Sequence, residues 1–117
     1  MANGEQIHSL LGTLLEVHRS AFELGEHEVS FHALSAAAHA AESLEDVDVL
    51  ERIAGLSRGE LAWLDAHAPD HRLSSRSAEQ RRHRSIFEQL AVTATGMRQR
   101  ITIDQRRGEA DHGTWPG

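Results

Sequence analysis

Cysteine, lysine and tyrosine are absent from this 117-residue chain, proline occurs only twice, and aromatic residues make up 4%. Without cysteine there is no disulfide framework, no thiolate metal site and no cysteine nucleophile, so redox chemistry does not fix a compartment. No apolar stretch approaches the roughly 20 residues that a membrane-spanning helix needs. The first apolar run, Leu10 to Leu15, is interrupted by Gly12 and Thr13 and has no basic segment ahead of it, unlike a secretory leader. The expectation is a cytoplasmic protein with no membrane contact. No useful length of period-two alternation occurs either, which argues against a sheet. "ITID" at 101–104 is β-prone but short and isolated.

What is present is ordinary for a folded domain. A hydrophobic content of 39% with 26% charged residues argues against disorder, and the length suits one core. All twelve basic residues are arginine, a bias read as coding composition and not as chemistry. Their placement is more informative. Residues 1–70 carry thirteen acids against Arg19, Arg52 and Arg58, a balance of −10, while residues 71–117 balance at +4. Such a basic segment docks on its own acidic body, on a second copy or on nucleic acid. The arginines have no interleaved aromatic residues, so nucleic acid is disfavoured.

Apolar residues at three- and four-residue steps predict four helices. The first covers Asn3 to Leu24, with Ile7, Leu10, Leu11, Leu14, Val17, Ala21 and Leu24 as its seam, Asn3 as N-cap and Gly25 as stop. The second covers Glu28 to Leu44 and is rich in alanine, which lets neighbouring backbones approach on two sides. The third covers Asp46 to Ala68 and ends at Pro69, with Gly55 and Gly59 marking a close crossing or a break. After a loop, "PDHRLSSRS", a long fourth helix is expected from Ser77 to Arg107, since Ser77 and Gln80 fit a capping box. Residues 1–108 thus form a single helical domain and 109–117 a flexible C-terminal tail.

In "GEHEVSFHALSAAA", Gly25-Glu26 occupies an inter-helix turn, Ser30 and Ala37 take small positions, and Phe31 and Leu34 apolar ones. With Leu14, Val17 and Ala21 upstream, residues 11–44 resemble a tetratricopeptide-repeat hairpin. His18 and His27 stand where the repeat prefers glycine and tyrosine. Gly59-Glu60 lies 34 residues after Gly25-Glu26 and looks like a second turn, although Pro69 leaves little room for the helix after it. The resemblance implies a protein-interaction scaffold without catalytic residues.

Nine histidines are the other feature. On the second helix Glu28, His32, Ser35, His39 and Glu42 form one polar stripe. In an up-down bundle His18, His32, His67 and His83 come to similar depths, one per helix, which is how facing side chains converge on a metal. Zinc, nickel or iron would suit imidazole, with Glu28 or Asp70 completing the sphere. Against this, the chain lacks the Glu-x-x-His pairs of di-iron bundles, a lone histidine on an apolar face is more often a core residue, and Pro69 separates His67 from His71. No phosphate loop or nucleophile elbow is present. The acids between Glu42 and Glu51 favour a helix start, and "RRHR" at 81–84 reads as a solvated or ion-paired face opposite them.

Taken together, the residues predict an all-α protein, either a four-helix up-down bundle or a tetratricopeptide-like packing. Its expected role is a small non-enzymatic protein–protein interaction module with no catalytic residues and no resident cofactor. The alternative is a histidine-rich metal-binding bundle. Ile101 and Ile103 on an overhanging fourth helix point to a protein partner or a homodimer through helix one or four.

Overall fold

The computed structural model describes residues 2–113, with side chains through Glu109. Among these residues the protein is all-α, and five helices replace the expected four: α1 (Gly4–Glu23), α2 (His27–Ser43), α3 (Val47–His67), α4 (Ser75–Gln80) and α5 (Ile86–Gly113). Asn3 caps α1 in a full capping box with Gln6, and the Asp46 carboxylate caps α3 through the Val49 N–H. Each cap satisfies a backbone donor that the first helical turn leaves open.

One turn chemistry ends three of the helices. Gly25 N–H donates to the Phe22 carbonyl and Glu26 N–H to that of Ala21. Glu45 and Asp46 repeat the pattern after α2, and Arg82 and His83 repeat it after α4. The pair of bonds forces the first residue of each turn into the left-handed region, with φ of 76° at Gly25, 53° at Glu45 and 59° at Arg82. Only the first turn uses glycine, and for that reason the third escapes a sequence reading.

The long fourth helix is thereby corrected. Ser74, not Ser77, caps α4, the chain turns at Arg82, and Ser85 starts α5 by accepting the Phe87 N–H on Oγ. Ser85 also donates to the Leu73 carbonyl, tying the new helix start to the preceding loop. "SIFE" at 85–88 carries the S-x-x-E pattern of a helix start. Gly55 and Gly59 do not break α3, and Gly59-Glu60 is no second turn, since α3 continues through it. α5 runs on to Gly113, past the expected boundary at 108, and the remainder of the expected tail, residues 114–117, lies outside the described residues.

α2 is the central element and packs on α1, α3 and α5. Its alanines explain the position: Ala33, Ala37, Ala38, Ala40 and Ala41 are all buried, so neighbours approach on more than one side. Leu34, Leu50, Ile53, Leu90 and Met97 complete the main core. A smaller cluster of Leu61, Leu64, Leu73 and Phe87 lies beside it, and Phe31 meets Phe87 edge to face at 5.7 Å. α1 docks along α2 and meets α3 through side chains, with the Phe22 ring edge-on to Trp63 at 5.6 Å. Its expected seam accordingly splits: Leu11 and Ala21 are buried, whereas Leu10, Val17 and Leu24 are exposed. Ile101, expected in the overhang, is buried, and Ile103 is exposed.

Candidate functional site

Short turns after α1 and α2 reverse the chain twice, so α1 and α3 run in the same direction with α2 behind them. The space between α1 and α3 is an open groove of about 870 Å³. Leu15 and Phe22 on α1 and Leu56 on α3 supply its apolar walls, and Arg19, Arg52 and Glu16 its charges. Neither arginine has an ion-pair partner among the described residues. Three helix-interior glycines, Gly12, Gly55 and Gly59, also line it. A Cβ added at any of them would meet nothing within 4 Å.

Beneath the groove lies a buried polar chain. Ser30 Oγ donates to Glu60 Oε1 at 2.6 Å, and the Nδ1–H of His27 donates to Glu60 Oε2 at 2.9 Å. With Glu60 as a carboxylate and the one Ser30 proton committed to it, His18 donates from Nδ1 to Ser30 Oγ at 2.8 Å. The Ser30 backbone carbonyl stands 3.2 Å from the same nitrogen. All four residues are buried, with Glu60 only 3% exposed. They join α1, α2 and α3 at one level, and each carboxylate oxygen has a partner, as a buried anion requires. His18 also lines the groove, and its uncommitted ring atom is Nε2.

Around His27 the aromatic groups gather. Its ring lies 5.4 Å from that of Trp63 and 5.4 Å from that of His71, and Phe22 meets it edge-on at 5.6 Å. His67 stacks on Trp63 at 4.7 Å and bonds through Nδ1 to the Trp63 carbonyl. His71 accepts the Leu73 N–H on Nδ1. Partial burial, the neighbouring His27 and the Arg72 guanidinium together hold the His71 pKa below the ordinary histidine value.

The four histidines picked out as metal ligands are not brought together. His18 is buried in the polar chain, His32 is exposed on α2, His67 is committed to Trp63, and His83 lies exposed in the turn before α5. No group of three or more histidines and carboxylates among the described residues is arranged to hold a metal ion. The extra turn at Arg82 is part of the reason, because it lifts His83 out of a helix. Glu28 pairs with Arg72 and Asp70 with Arg76 instead of turning inward. The acids at 42 and 51 pair with Arg100 and Arg98 of α5, and not with the arginines at 81–84.

His27, Ser30 and Glu60 were missed by the sequence reading. Their only signal was a glutamate at an inward position of α3, one turn before Leu64, in a helix whose other inward residues, Ser57 apart, are apolar. Compared with known protein families, with curated proteins and with solved structures, the chain matches none of them.

Proposed function

We propose that the chain is a non-enzymatic helical interaction module that receives a segment of a partner protein in the groove between α1 and α3. The observation that supports this most is the cost of the groove's glycines. Glycine inside a helix is less favourable than alanine by about 1 kcal/mol. At Gly12, Gly55 and Gly59, as at Gly96 and Gly108, nothing inside the protein would obstruct a Cβ, so no internal contact offsets that cost, but only the first three share one groove. A chain seated against the bare backbone from outside would offset it.

The groove's size is consistent with this role, since binding clefts span roughly 300–1,000 Å³. Its apolar walls, with Arg19 and Arg52 unpaired among the described residues, favour a segment with apolar contacts and acidic flanks. The resemblance of residues 11–44 to a tetratricopeptide hairpin points the same way. The buried chain from His18 to Glu60 serves as a pin that holds the groove's walls in register, its polar atoms being spent between helices.

The test uses a random peptide library displayed on phage, selected on the wild-type chain and counter-screened on Gly55→Trp, which fills the groove. Peptides that bind the wild type and lose at least about tenfold in affinity on the variant, about 1.4 kcal/mol, support the reading, provided the variant melts no lower than wild type. A library that yields no binder, or binders indifferent to Gly55→Trp, contradicts it.

A further inference from the structure

Two exposed apolar stripes lie away from the groove, one at each end of the helical stack. On α1, Leu10, Val17 and Leu24 recur at seven-residue steps and are 54%, 42% and 78% exposed. Seven residues is close to two helical turns, so the three share one face over about 21 Å. Val29 of α2 extends that face across a shallow depression that also holds Val17 and Leu24. On α5, Val92 and Ile103 are 45% and 48% exposed. They flank Gly96 on the side away from the buried Leu90, Ala94, Met97 and Ile101, and Gly96 and Ile103 line a second shallow depression.

The surroundings of the two stripes carry opposite charge. Glu16 and Glu26 line the α1 depression and Glu23 adjoins it, and none of the three has an ion-pair partner among the described residues. Arg100, paired with Glu42, lines the α5 depression, and Arg106 and Arg107, one turn beyond Ile103, are exposed and carry no ion pair among the described residues. The chain-wide balance repeats the contrast, at −10 over residues 1–70 and +4 over residues 71–117. A two-fold contact of like faces would set acid against acid, or arginine against arginine.

We infer that the α1 stripe of one copy docks on the α5 stripe of a second copy, head to tail. Leu24, the most exposed of these side chains, seats in the dent over Gly96, while Glu23 and Glu26 face Arg106 and Arg107. A contact between two different faces leaves one of each free in every dimer, so growth is open-ended unless the rotation closes a ring. The α1–α3 groove lies on another face of α1 and stays open in every copy. This inference is independent of what the groove binds.

Sedimentation velocity from low micromolar to near-millimolar protein, in low salt and in half-molar salt, tests it with two charge reversals away from the groove, Glu23→Arg/Glu26→Arg and Arg106→Glu/Arg107→Glu. The expected result is a mass that climbs past the dimer with concentration and falls back in high salt. Each reversal alone stays monomeric with an unchanged helical spectrum. An equimolar mixture of the two associates again, because each then meets a face of opposite charge. Leu24→Ser weakens association at least tenfold without touching charge. A wild type that stays monomeric throughout overturns the inference. So does a dimer that persists in either reversal alone, which would mark a like-with-like interface, or a mixture that fails to recover.

Discussion

Glu60 is the residue on which the three-helix junction turns. Removing its side chain leaves the Ser30 hydroxyl and the His27 N–H buried without acceptors, and unsatisfied buried groups cost about 1–3 kcal/mol each. Glu60→Ala is therefore expected to destabilise the protein by about 3 kcal/mol in urea unfolding, whereas Glu60→Gln, which keeps one acceptor and the volume, costs about half as much. Equal and negligible losses would remove the pin from this account. His71 gives a second prediction. Its folded-state pKa lies below the ordinary 6.5, so the unfolded chain binds the proton better. Stability from this group is complete above about pH 6.5 and is lost as pH falls from there toward the folded value. His71→Asn keeps an acceptor for the Leu73 N–H but does not titrate. The wild type should lose more stability than this variant between pH 7.5 and 5, and parallel curves would contradict the assignment. At this scale the sequence was only partly legible. His18 stood out among apolar neighbours and is indeed buried, but its partners lie 12 and 42 residues away, and helical spacing carries no information on such pairs.

At the scale of elements, the ends of helices were readable where one residue type controls them. Asn3, Gly25, Asp46 and Pro69 all stand within a residue or two of the boundaries they predict. The turn at Arg82 was not readable, because an arginine in the left-handed region is a strained choice that no composition rule flags, and no glycine or proline lies between Ser74 and Ser85 to mark a break. The two other left-handed turns give a direct comparison. Gly25 and Glu45 hold equivalent places after α1 and α2, yet only glycine adopts this conformation without steric cost. Glu45→Gly should accordingly stabilise the protein by about 1 kcal/mol, and Gly25→Ala should destabilise it by a similar amount. Both are read from the shift in urea midpoint at constant slope. A destabilised Glu45→Gly would mean that the Glu45 side chain contributes something beyond the turn.

For the whole molecule, the fold class follows from the sequence because four of the helices are long and strongly periodic, and because the alanines of α2 already mark the element with neighbours on several sides. What periodicity does not decide is which faces stay open. α1 has apolar residues around about half its circumference, and the sequence assigned seven of them to one seam that left out Leu15 and Phe22. The structure gives them to the core, to the groove beside α3, and to the exposed stripe of Leu10, Val17 and Leu24. The molecule is elongated, 62 × 30 × 21 Å, and the proposed docking of a partner segment uses the groove between α1 and α3. The most direct measurement is a titration of nitrogen-labelled protein with a library-selected peptide, following the glycine amides by two-dimensional NMR. The largest shifts are expected on Gly12, Gly55 and Gly59, with Gly4, Gly96 and Gly108 nearly still. Shifts concentrated at Gly96, or spread evenly over all six, would contradict the groove as the binding site.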